Sequence, residues 1–97
     1  MADDTVDRST GNPIVLMVAN LTVTPRTNGF DISWDPSAAL NLEYYLITRS
    51  DGKTFRTVST VLHDSYQLVP YSIYTWSVSA HAGRKLSVPA VTAGFQF

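Results

Sequence analysis

Apolar and polar residues alternate in short runs along this chain. Leu21 and Val23 are separated by Thr22 and followed by Thr24. Phe30, Ile32 and Trp34 interleave with Asp31, Ser33 and Asp35. Tyr74, Trp76, Val78 and Ala80 interleave with Thr75, Ser77, Ser79 and His81. A period of two places successive side chains on opposite faces of an extended strand, so each run predicts a strand with one buried and one wet face. Long helical periodicity is absent. The run from Pro36 to Asn41 has room for one helical turn at most and is read as a loop. Turn-forming residues separate the runs: Pro25-Arg26-Thr27-Asn28-Gly29, Asp35-Pro36-Ser37, Ser50-Asp51-Gly52-Lys53 and His81-Ala82-Gly83-Arg84-Lys85. Asp-Gly is a strong hairpin signal because it tolerates the positive φ of tight turns. About seven short strands are expected, hence an all-β, seven-stranded antiparallel β-sandwich.

Composition supports that reading. The chain has 97 residues, enough for one domain. Val, Ile and Thr account for 25 of them, and β-branched side chains favour a pleated surface. Cysteine is absent, which excludes disulfides and thiolate metal sites. The formal net charge of −1 argues against a broad electrostatic grip on nucleic acid.

Residues 1–12 are polar and acidic and read as an N-terminal arm; residues 13–97 read as the folded domain. No basic start followed by an apolar stretch marks a secretory signal. No run approaches the length of a membrane span. No membrane insertion is expected.

Three motifs carry the most information. Leu68-Val69-Pro70-Tyr71-Ser72-Ile73-Tyr74 has the form of a tyrosine corner, in which the phenol bonds to backbone a few residues upstream. Ile32-Ser33-Trp34-Asp35-Pro36 places a Trp inward on an early strand. Leu42 to Arg49 is a strand closed by the Asp51-Gly52 turn. In this order and spacing, the motifs resemble a fibronectin type III domain over about residues 13–97. The resemblance implies strands at about 20–25, 29–35, 42–49, 53–60, 65–68, 73–81 and 86–95. It implies a structural core that includes Trp34, Tyr45, Ile47, Leu68, Pro70, Tyr74, Trp76 and Val78. Trp76 departs from the family pattern, which usually has a smaller aliphatic residue there, so the core beside the corner must be repacked. The stretch before the corner is short, which implies a bulge or a shortened strand.

Candidate chemistry is sparse. His63, Asp64 and Ser65 are residue types of a hydrolytic triad, but consecutive residues of a strand point to opposite faces. Asp31, Asp35 and Glu43 are read as outward-facing. Two distant histidines without clustered carboxylates do not suggest a metal site, and no Gly-rich phosphate loop occurs. The expectation is no catalytic residue, no cofactor and no metal. The candidate contact residues are Ile14, Leu16 and Val18 in an apolar segment, Arg84 and Lys85 in a basic loop, and Phe95 and Phe97 at the end of the chain. These suggest protein partners, as a homo-oligomer or a multi-protein assembly. The function expected is a non-catalytic structural or interaction module, of the kind found in a phage tail, collar or capsid surface. The alternatives are an adhesion or receptor domain and a spacer in a secreted carbohydrate-active enzyme.

Overall fold

In a computed structural model, the structure describes residues 17–39, 41–83 and 85–97. The expected arm at 1–12 lies outside them. Among the described residues every regular element is a strand: β1 (Thr22–Arg26), β2 (Gly29–Ser33), β3 (Leu42–Arg49), β4 (Thr54–Thr57), β5 (Val61–Asp64), β6 (Ile73–Tyr74), β7 (Trp76–Ala82), β8 (Lys85–Leu86), β9 (Ala90–Val91) and β10 (Phe95–Gln96). All pairings are antiparallel. One sheet has the order β1-β2-β5. The other runs β4-β3-β7-β8, with β9 also on β7, and β10 pairs β6. The fold is an all-β antiparallel sandwich.

The core lies between the sheets, where the period-two pattern sends one side chain in two. Phe30 and Ile32 on β2, with Trp34 just beyond, face Tyr45 and Ile47 on β3 and Trp76, Val78 and Ala80 on β7. Phe30 and Trp76 have ring centroids 5.0 Å apart, and Trp34 meets Tyr45 edge-on at 5.2 Å. Such aromatic pairs add about 0.5–1.5 kcal/mol to the area they bury. Val18 is also buried here, 5% exposed, so it is core and not the contact residue that the sequence suggests. Its position in an apolar run could not show which side chains face inward.

The corner segment has one bond at its centre. The Val69 N–H donates to the Tyr74 hydroxyl at 2.8 Å. Leu68 packs partly buried against the core. Pro70 is exposed at the crest of the turn, contrary to its expected place in the core; what the turn requires of it is a fixed φ, not burial.

Several strand boundaries differ from expectation: the strand expected over 73–81 is split at Thr75 into β6, which pairs β10, and β7, which pairs β3. The strand before the corner is Val61–Asp64 rather than 65–68. Leu62 and Asp64 are the residues that pair with Ile32 and Phe30 of β2. The chain then turns, with the Tyr66 N–H on Asp64 Oδ1 and Gln67 at φ 47°. The strand expected over 53–60 stops at Thr57, where the Thr57 and Ser59 hydroxyls accept the N–H groups of Ser59 and Val61. The last strand, expected as one piece over 86–95, is β8, β9 and β10. Two hydroxyls replace its ladder: Ser87 Oγ accepts the Ala80 N–H at 2.8 Å and Thr92 Oγ1 accepts the Trp76 N–H at 3.1 Å. Pro89, between them, has no N–H to give.

Removing the corner phenol isolates its contribution. Tyr74→Phe leaves the ring in place and the Val69 N–H without its partner. A loss of about 1–2 kcal/mol in urea unfolding is expected, since a part-buried donor is left unsatisfied.

Candidate functional site

The largest convergence of charged groups is buried. Along β3 the period of two that turns Tyr45 and Ile47 inward also turns Arg49 inward. Asp64, the last residue of β5, enters from the opposite sheet. Both side chains are fully buried, 0% exposed. Arg49 Nη1 donates to both Asp64 oxygens at 3.0 Å and to the Tyr66 carbonyl at 2.7 Å. Its Nε and Nη2 form a two-point contact with Asp51, at 2.9 and 2.7 Å. Asp64 also accepts the Trp76 indole N–H at 2.8 Å and the Tyr66 amide at 3.0 Å. The guanidinium lies 4.9 Å from the Tyr74 ring centroid and 5.9 Å from that of Phe55.

This arrangement is chemically saturated. A planar fork between two carboxylates is the geometry that suits Arg. Asp51 holds the Arg49 proton more firmly than usual, against the opposing effect of burial. In return Arg49 draws the Asp51 carboxyl down to about 2, assisted by the Lys53 backbone N–H. The network joins the two sheets and engages both Asp64 oxygens and all three guanidinium nitrogens of Arg49.

Two smaller clusters lie on the outer faces. On β2 and β5, Asp31 pairs across the ladder with His63, Nδ1 to Oδ1 at 2.6 Å, and accepts Arg26 Nε at 2.7 Å. These bonds, from His63 first and Arg26 second, hold the Asp31 carboxyl below its ordinary range. On the other sheet a bulge between Leu42 and Tyr44 brings Glu43 beside His81, 3.4 Å apart. His81 stacks on Tyr44 at 4.5 Å with planes 9° apart, and Arg56 sits 4.6 Å from the Tyr44 centroid. Among the described residues no group of three or more His, Asp or Glu side chains stands together in a metal-binding arrangement.

His63 is exposed and Asp64 buried, so the three consecutive triad-type residues do not converge. Ile14, Leu16 and Arg84 lie outside the described residues. Lys85 is exposed on β8. Phe95 and Phe97 are half-buried and pack at a tilt against Phe30, with ring centroids 6.3 and 6.0 Å away. The Phe97 N–H bonds the Ser72 carbonyl and its carbonyl accepts the Tyr71 N–H. Both phenylalanines pack partly buried against the core at the end of the sandwich. Trp34, Tyr45, Ile47, Tyr74, Trp76 and Val78 are buried. Sequence reasoning missed the Arg49–Asp64–Trp76 network. Two signals pointed to it: Arg49 keeps phase with Tyr45 and Ile47, and Trp76 brings an N–H into the core that needs an acceptor.

No family model matches the chain, and no curated protein does. Among solved structures, it is similar to part of the Clostridium perfringens spore cortex lytic enzyme SleM, with a TM-score of 0.70 and 16% identity over 89% of this chain. The match spans 29% of that enzyme's chain, so it shows a shared fold. Among the described residues no helix is long and apolar enough to cross a membrane.

Truncating one member of the buried pair strands the other. Asp64→Ala is expected to cost about 3–5 kcal/mol in denaturant unfolding, and the double change Arg49→Met with Asp64→Leu should recover much of that loss. Acid separates Asp51 from the rest. Its folded pKa of about 2 lies below the ordinary value of 3.8. The stability it contributes is therefore complete above the unfolded value and is lost as pH falls through about 2. Asp51→Asn is expected to flatten the fall in thermal midpoint between those two values.

Proposed function

We propose that this chain is a non-catalytic, fibronectin type III-like interaction module of a larger assembly. The observation that carries this reading is where its polar chemistry goes. The strongest charged cluster is internal and saturated, while one end of the sandwich presents apolar side chains to solvent. Val69, Tyr71 and Ile73 are 57%, 83% and 67% exposed. Tyr71 is held at φ 68°, a left-handed backbone that costs a non-Gly residue about 1–2 kcal/mol. Its backbone is fixed by the Phe97 carbonyl and the Gln96 amide. A bulky aromatic held outward at a cost suits a contact surface, where Tyr is favoured. The assembly we propose is a phage particle, with copies of the chain or neighbouring proteins covering this end.

A second reading has its own support. The likeness to a minor part of a spore cortex lytic enzyme fits a spacer joined to a catalytic unit. Light scattering over a range of concentrations separates the two. Self-association that Tyr71→Ser with Ile73→Ser abolishes, at an unchanged thermal midpoint, is the outcome expected of the interaction module. A chain that stays monomeric, with a variant indistinguishable from it, overturns the homo-oligomeric form and favours the spacer.

A further inference from the structure

The chain has four asparagines. Asn12 precedes Pro13, Asn20 and Asn41 precede leucines, and Asn28 alone precedes glycine. We propose that Asn28–Gly29 is a site of spontaneous covalent modification in the folded protein, converting Asn28 to aspartyl and isoaspartyl forms.

The reaction needs a side-chain amide, an unhindered following nitrogen and a backbone able to bring the two together. Gly29 has no Cβ to obstruct the approach, whereas Leu21 and Leu42 present branched side chains. Asn28 is exposed at the tip of the β1–β2 hairpin, beyond the closing pair Arg26 and Gly29. Its side chain makes no hydrogen bond to any described residue. Neither Thr27 nor Asn28 has a positive φ, so the connection is not one of the primed turns whose twist matches the strands. Gly29 itself is buried and pairs with Arg26, so the attack requires the end of this hairpin to open.

The other Asx-Gly pair makes the contrast. Asp51 precedes Gly52, but Arg49 grips both its carboxylate oxygens and keeps the group ionised. An ionised carboxylate is a poor electrophile. The Gly52 N–H is also occupied, donating to the Arg49 carbonyl at 2.9 Å. Both glycines belong to closed turns; what differs is the side chain, gripped by Arg49 at Asp51 and bonded to no described residue at Asn28.

The chemistry balances with water alone. The Gly29 nitrogen gives its proton to solvent base and attacks the Asn28 side-chain carbonyl carbon. A five-membered imide forms, the bond to the amide nitrogen breaks, and ammonia leaves with protons drawn from water. Water then opens the imide at either carbonyl. One opening yields Asp. The other yields isoaspartate, with one more methylene in the backbone. That extra length has a consequence, because a Cβ at Gly29 would collide with the Asp64 carbonyl. The hairpin end is seated against the residue that anchors the buried network, so the isoaspartyl product strains it.

The test incubates the full folded chain in mild alkali and follows by mass spectrometry the peptide Thr27–Arg49, which holds Asn28 and Asn41, together with the peptides that hold Asn20 and Asp51. Fragmentation distinguishes Asn28 from Asn41. The expected result is a gain of one mass unit at Asn28, about an order of magnitude faster than at Asn20 or Asn41, since only glycine leaves the attack unhindered. Hydroxylamine should trap the imide there, and Asn28→Ser should abolish both signals. The isoaspartyl fraction should melt earlier than the Asn28→Asp variant, which reproduces the other product. Modification seen only after unfolding in urea, equal rates at Asn20 or Asn41, or faster isomerisation at Asp51 would each overturn the proposal.

Discussion

The Asp64 carboxylate, fully buried between two sheets, needs every one of its acceptor sites filled. A buried ionised group left without partners costs several kcal/mol, so the surrounding structure is arranged to supply them. Arg49 comes from the facing sheet, the Trp76 indole from β7 and the Tyr66 amide from the turn after β5. Each donor constrains the element that carries it. Arg49 pins the end of β3, Trp76 the start of β7, and the Tyr66 amide forces the chain to turn immediately after Asp64. The chain has no cysteine, and this is the covalent-free tie between its layers. Buried ion pairs are weak sources of net stability. The role here is registration, because a slip of one residue in β3 or β5 would turn one charge out and leave the other stranded.

The network also connects to the tyrosine corner. The Tyr74 ring lies over the Arg49 guanidinium while its hydroxyl accepts the Val69 amide, so one side chain serves the core and the crossover together. Trp76 brings a large ring and an N–H into the core, and it finds in Asp64 an acceptor there. The volume and the N–H are accommodated as a unit with Phe30, whose ring centroid is 5.0 Å away.

The edge beyond β7 is handled differently. An unbroken last strand would present a straight row of backbone groups to any neighbouring chain. Here Ser87 and Thr92 hydroxyls take over two ladder positions and Pro89 interrupts between them. A broken edge resists indiscriminate strand addition. At the end of the sandwich, Val69, Tyr71 and Ile73 are exposed on a backbone fastened to the last two residues.

Much of the fold is legible in the sequence because alternation is a local property. The inward sets on β2, β3 and β7, the Asp-Gly hairpin and the tyrosine corner all follow from residue types at fixed short spacings. The class of fold and most of the aromatic core follow with them. The position of β5 was not legible, since Val61–Asp64 and 65–68 are both short and mixed, and only pairing with β2 chooses between them. Of the network, the sequence carried the inward phase of Arg49 and the need of Trp76 for an acceptor, but not the partner. Arg49 and Asp64 are 15 positions apart, and a charged residue on its own reads as surface. The sequence alone determined which side of each strand is apolar; the tertiary structure alone decided that Arg49 and Asp64 meet inside, because burial of a charge is settled by the partner across the sandwich and not by its neighbours along the chain.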